Sequence, residues 1–319
     1  MFKKFRFLGL AAALVLVIAL AACGGGGSEE GSDSDSGDSG SSDGGDSSGV
    51  ELGESELTVP YVSWAGAIAR TPLVKQVLEE VGYTVETKQV DAGSMWTSVA
   101  NDDSSFMTAS WLPATHQSYW DQYQNDVEEV SVFVDKAPLG MTVPSYMDVS
   151  SIEDLKGNKE LGEATDWTIT GIDPGAGVMQ NTQTALEEYG LENWELQSSS
   201  EGAMLSELQT RIENEEPIIV PGWKPHWMFE DMDLKMLEDS KEVYGGEGDR
   251  ISMVAHKSFK EDSPAAYEIL KRMGEDYGTD IEQQLMVEIN NGADAADVAS
   301  QFLEDNPDLL KKWTEGIGE

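Results

Sequence analysis

The chain has 319 residues, enough for about two domains. It carries 60 acidic against 20 basic residues, a formal net charge of −40, and such a surface repels nucleic acid and anionic lipid alike. The single cysteine, Cys23, excludes an internal disulfide. An acidic, lysine-poor surface suits work in high salt, where self-repulsion is screened over a Debye length of about 3 Å at 1 M.

The chain opens with Lys3, Lys4 and Arg6, then the apolar run LGLAAALVLVIALAA from Leu8. A basic start followed by a short apolar run is the layout of a secretory signal, here residues 1–22. The run ends in LAAC, which resembles the lipobox of bacterial lipoproteins, so Cys23 is expected to be lipidated and to hold the protein at a membrane surface outside the cytoplasm. Residues 23–50 follow as an acidic Gly/Ser/Asp stretch with almost no apolar side chains, which cannot bury a core and reads as a tether. Its Asp spacing faintly resembles a calcium loop but lacks the closing Glu, and no metal or cofactor is expected anywhere in the chain.

From Leu57 short apolar runs alternate with amphipathic stretches. LTVPYVSW (57–64) predicts a buried strand, and TPLVKQVLEEVGY (71–83) a helix with Thr71 as cap, Pro72 in its first turn and Gly82 at its end. TVETKQV alternates as a strand does, SMWTSVAND starts a helix, and FMTASW ends a strand. SVFVDKAPLGMTVPSYM (131–147) reads as one long extended stretch. This β-α-β-α-β order predicts a parallel sheet flanked by helices. SIEDLKG, TITGIDPGAGVMQNTQTALEEYG, WELQSSS, EGAMLSELQTRIENEE, PIIVPGW and LKMLEDS repeat the α/β plan. RISMVAHKSF (250–259) is extended and returns the chain to the first unit, and the remainder is helical. The expected fold is α/β with two lobes, residues 55–140 and 253–319 in one and 141–252 in the other, with a ligand cleft between them.

Three tryptophans end strands where an α/β strand meets its cleft-facing loop: Trp64 in YVSW, Trp111 in TASW and Trp223 in IIVPGW. Three indole faces in that position make a box for a cation, and quaternary ammonium suits it because such a guest has no N–H for a carboxylate to accept. Gly175 and Gly177 lie between a strand and a helix, where backbone N–H groups at the helix N-terminus make an anion site. The turn lacks the lysine of a P-loop and the full GxGxxG of a dinucleotide fold, so a carboxylate fits better than a polyphosphate. The two features together describe a receptor for a zwitterion whose net charge is zero, which an acidic protein need not reject.

YVSW, AGSMWTSVA, SWLPATH, GIDPGAGVMQN, GAMLSEL, GWKPHWMF and LKMLEDS resemble the glycine betaine/proline betaine-binding proteins of ABC importers, from about residue 57 to 313. The resemblance implies an ammonium box of Trp64, Trp111 and Trp223. It implies a carboxylate held by the backbone amides of Gly177 and Val178, with His116 as a polar neighbour. It also implies delivery to the transmembrane permease subunits. The two halves of this fold occur in either order among family members, and here the YVSW half comes first. Trp120 reads as packing, and His226 as a brace beneath Trp223.

A choline- or carnitine-type receptor, feeding uptake or sensing, is the alternative ligand reading. An enzyme acting on choline esters would need a nucleophile and a base, and the chain has no GxSxG, no HExxH and no free cysteine in its folded part.

Overall fold

A computed structural model describes residues 49–318. The signal-like leader, Cys23 and most of the acidic tether lie outside the described residues. The first strand, β1 (Glu56–Tyr61), runs into α1 (Ala65–Glu80) and returns as β2 (Thr84–Gln89), parallel to β1 from Glu56↔Thr84 to Tyr61↔Gln89. Next come α2 (Ala92–Asn101), β3 (Phe106–Leu112), α3 (Gln117–Tyr123) and β4 (Val127–Ala137). Asp91 caps α2 by accepting from the Ser94 N–H, the role its short carboxylate suits.

The chain then enters a second group of strands. β5 (Leu139–Pro144) lies between β8 (Val220–Trp223) and β9 (Leu234–Met236), antiparallel to both, while β6 (Thr168–Thr170) and β7 (Glu195–Gln197) pair in parallel. The helices α4 (Lys159–Ala164), α5 (Gly177–Glu188), α6 (Glu201–Glu213) and α7 (Met228–Asp231) belong to this group. β10 (Asp249–His256) returns the chain and slots between β3 and β4. Five helices close the first lobe: α8 (Phe259–Asp262), α9 (Pro264–Asp276), α10 (Gly278–Asn290), α11 (Ala295–Asp305) and α12 (Pro307–Thr314). The result is the two-lobed α/β architecture expected.

Three local expectations are corrected. Helix α1 begins at Ala65, not Thr71, and Pro72 sits inside it. An interior proline costs about 3 kcal/mol. Full burial of Leu73, Val74, Val77 and Leu78, at about 1.5–3 kcal/mol each, outweighs that cost. The early start places Trp64 at the N-cap. The expected single extended stretch 131–147 is two strands in different sheets, broken at Pro138, whose carbonyl accepts from the Lys224 N–H at 2.9 Å. The strand pairing is not all parallel: β1–β2 and β6–β7 pair in parallel, whereas β10 returns from the second lobe antiparallel to β3 and β4, and β5 runs antiparallel to β8 and β9. The expected lobe boundaries, after residues 140 and 252, fall within β5 and β10.

Two apolar cores result. The outer core, of α1 and α9–α12 against β1 and β2, stays within the first lobe and includes Leu73, Phe259 and Trp313. The inner core runs from Trp96 and Met107 of the first lobe to Met141, Ile172 and Met204 of the second, and it contains Trp64, Trp111 and Trp223.

Candidate functional site

The inner core borders a pocket where the lobes meet. The first lobe contributes Trp64, Trp111, Thr115 and His116 to its wall. The second contributes Leu139, Ile172, Ala176, Gly177, Val178 and Trp223. All six residues expected at the binding site therefore line one cavity. Thr115, Leu139, Ile172 and Ala176 were not anticipated from the sequence.

Each indole is placed by a different element. Trp64 holds the extended N-cap conformation ahead of α1, with φ −92° and ψ 145°. Trp111 lies in β3 opposite Ile251 of β10, and Trp223 ends β8 opposite Leu139 of β5. The Trp111 and Trp223 rings stand nearly perpendicular, 80° apart with centroids at 6.5 Å. They are 7% and 5% exposed, and Trp64 is 8% exposed, so the indoles are largely withdrawn from water. Desolvation is the condition under which an indole face binds a cation best, at about 2 kcal/mol or more.

The rest of the wall includes the opening of α5 and His116. Gly177 and Val178 are the first two residues of α5, whose opening N–H groups have no intrahelical acceptor by geometry. The helix has no side-chain cap and no acidic residue in its first turn, so its positive end is left for an anion. Gly177 must be glycine here, because a Cβ on it would come within 2.0 Å of the Thr115 carbonyl across the cleft.

His116 is fully buried. Its Nδ1 accepts from the Trp111 N–H at 3.1 Å, so the neutral ring carries its proton on Nε2. Burial pulls its pKa down from 6.5 to about 3, which keeps the ring neutral. Nε2 has no hydrogen-bond partner among the described residues, and neither has the buried hydroxyl of Thr115. A buried N–H without an acceptor is costly. Here that donor belongs to a residue lining the same cavity as the opening of α5.

Supporting contacts hold this loop. Asp249, 1% exposed, accepts from the Ala114 and Thr115 amides at 2.7 and 2.9 Å. Tyr119 donates to the Gly175 carbonyl at 2.7 Å and stacks on Trp96, 6.0 Å away and 11° from parallel. Trp96, fully buried, meets His116 edge-on at 5.8 Å, and Trp120 packs edge-on against Trp96. His226 meets Trp223 edge-on at 5.2 Å, and His256 pairs with Ser258 away from the cavity. No group of three or more potential metal ligands occurs among the described residues. No helix there is long and apolar enough to cross a membrane.

Comparison with known proteins bears on this geometry. The family model described as "Substrate binding domain of ABC-type glycine betaine transport system" matches residues 55–305. The glycine betaine/carnitine transport binding protein GbuC of Listeria monocytogenes is 44% identical over 161 residues, a match covering 50% of this chain and 53% of GbuC. The chain thus aligns with about half the length of that relative. Lactococcal OpuAC, solved closed around glycine betaine, is 34% identical with a TM-score of 0.75, over 82% of this chain and 100% of that one. ProX of Borrelia burgdorferi, a glycine betaine/L-proline-binding protein, is 31% identical with a TM-score of 0.77, over 81% and 96%. The chain belongs to the OpuAC family of substrate-binding domains of ABC-type glycine betaine transport systems.

Proposed function

We propose that this protein captures glycine betaine, or a closely related quaternary ammonium zwitterion, outside the cytoplasm and hands it to the permease of an ABC importer. The observation that carries the reading is a single cavity lined by three indoles, by the first residues of α5 and by His116, whose Nε2 has no hydrogen-bond partner among the described residues. Trp64, Trp111 and Trp223 would surround the trimethylammonium group. The Gly177 and Val178 amides and the His116 Nε2–H would hold the carboxylate.

The magnitudes fit. Three desolvated indole faces give about 2–6 kcal/mol in total. Each hydrogen bond to a charged acceptor adds about 1.5–3 kcal/mol. Association and lobe closure take several kcal/mol back. The balance is compatible with micromolar affinity, about −8 kcal/mol. Closure removes the cation from water and so strengthens its contacts, which couples binding to the closed arrangement.

The lobe division into residues 55–140 with 253–319, and 141–252, is part of this reading, with the cuts moved to the strand ends at Ala137 and Asp249. Anchoring through a lipid on Cys23 belongs to it too, supported by the LAAC sequence. The alternative is a choline- or carnitine-type ligand. GbuC is named for carnitine as well as glycine betaine. Choline has no carboxylate and would leave the α5 amides and His116 Nε2–H without an acceptor, so it should bind less well.

Titration with glycine betaine and with choline, followed by tryptophan fluorescence in high salt, tests the proposal. Saturable glycine betaine binding with weaker choline binding is expected. Equal binding of both would remove the carboxylate end, and no response to either would overturn the proposal.

A further inference from the structure

We propose that Glu201 is a positioning residue for ligand capture: its buried carboxylate fastens the second lobe to the start of α1 and so sets indoles of both lobes. The inference rests on the capture reading above.

Glu201 is the first residue of α6 in the second lobe, and it is 3% exposed. Its Oε1 accepts from the Ala65 N–H at 2.9 Å. Ala65 is the first residue of α1 in the first lobe and follows Trp64 directly. The same oxygen lies 3.2 Å from His226 Nε2. His226 Nδ1 accepts from the Met228 N–H at 3.0 Å, so the proton sits on Nε2 and is donated to Glu201. The His226 ring abuts Trp223. One oxygen therefore touches the residue after one indole and the ring that braces another, from opposite sides of the cleft.

The α1 N-terminus needs this partner. Trp64 supplies no side-chain cap, and the first turn of α1 has no acidic residue. A carboxylate there satisfies an opening N–H and favours the positive end of the helix. Glu201 also stands in the first turn of its own helix, where an acid is favourable without any second lobe. That local role does not account for an oxygen turned onto α1. With the lobes apart, the Ala65 N–H would be hydrated and Glu201 would keep only its His226 partner within the second lobe, so the Ala65 bond contributes to closure. Its loss should speed ligand release and leave encounter unchanged.

The test uses stopped-flow tryptophan fluorescence with glycine betaine on the full chain. A parallel FRET measurement, between dyes on an exposed site in each lobe, reads lobe separation. Glu201→Ala should release ligand about 10–100-fold faster, as the loss of a charged hydrogen bond requires. The association rate should match wild type. Glu201→Gln keeps the acceptor oxygen and the size, and should recover most of the loss. Ala65→Pro removes only the N–H; proline is tolerated at a first helical position, and the extended Trp64 suits the residue before it. It should reproduce the Glu201→Ala effect, and the double variant should add little to either. Wild-type release and wild-type lobe separation in Glu201→Ala would overturn the inference. So would an Ala65→Pro variant that releases ligand normally. If wild type does not bind glycine betaine, the capture reading fails and FRET decides the fastening alone: Glu201→Ala opens the lobes if the inference stands and leaves them unmoved if it does not.

Discussion

The two ends of the cavity are built in opposite ways. The proposed cation end consists of large side chains, each on its own strand or helix cap, whose faces would enclose the guest. The proposed anion end consists largely of backbone, two amides at the start of α5 plus one ring N–H, and depends on side chains being small. The cation end should therefore fail by losing surface, and the anion end by gaining it.

Five substitutions or conditions test that contrast. The largest effect is expected from Trp111→Ala, which removes an enclosing face and admits water. Affinity for glycine betaine should fall about 100-fold or more by calorimetry, with the fold retained by circular dichroism. Next is Gly177→Ala, which adds one methyl where the Thr115 carbonyl lies 2.0 Å away. It should hold the lobes apart and weaken binding about 30-fold, which scattering of the liganded protein would show as a failure to compact. Unimpaired binding would mean that α5 does not face the ligand.

His116→Phe should weaken glycine betaine about 10-fold and choline much less, since only the former has a carboxylate for the lost donor. A parallel loss for both would assign His116 to packing alone. The same ring gives a pH signature. Its pKa lies near 3 folded against 6.5 unfolded, so between those values the unfolded chain holds more protons. Stability from this group is complete above pH 6.5 and is lost as pH falls toward 3. The melting temperature should drop on acidification through that window, and less steeply in His116→Phe. Smallest of all is the effect of salt: raising it from about 0.1 to 1 M should leave affinity nearly unchanged, because enclosed contacts escape screening.

The cation end was the more legible in sequence. Tryptophan is scarce, and at the end of an apolar strand it has few reasons to be there other than a cleft. The GIDPGAG turn announced an anion site only through glycine's permissiveness, and what makes Gly177 obligatory, the Thr115 carbonyl across the cleft, is a tertiary fact. The start of α1 was misplaced because Pro72 reads locally as a first-turn residue, while the burial that overrides it comes from distant helices. Asp249 and Glu201 could not be picked out among sixty acidic residues. Their partners in the first lobe lie 134 to 136 positions away.

Both passages of the chain between the lobes end at the site itself. Leu139, just beyond the break at Pro138, is part of the cavity wall, and Asp249, where the chain returns, grips the loop that carries His116. The lever between guest and lobe angle is therefore only a residue or two long at each crossing. Reciprocity then applies with little slack: whatever docks against one lobe angle must change the grip on the solute by the same factor that the solute changes the docking. On the proposed function, a permease that prefers the closed shape would raise the affinity of the protein it empties, and unloading would require forcing the lobes apart.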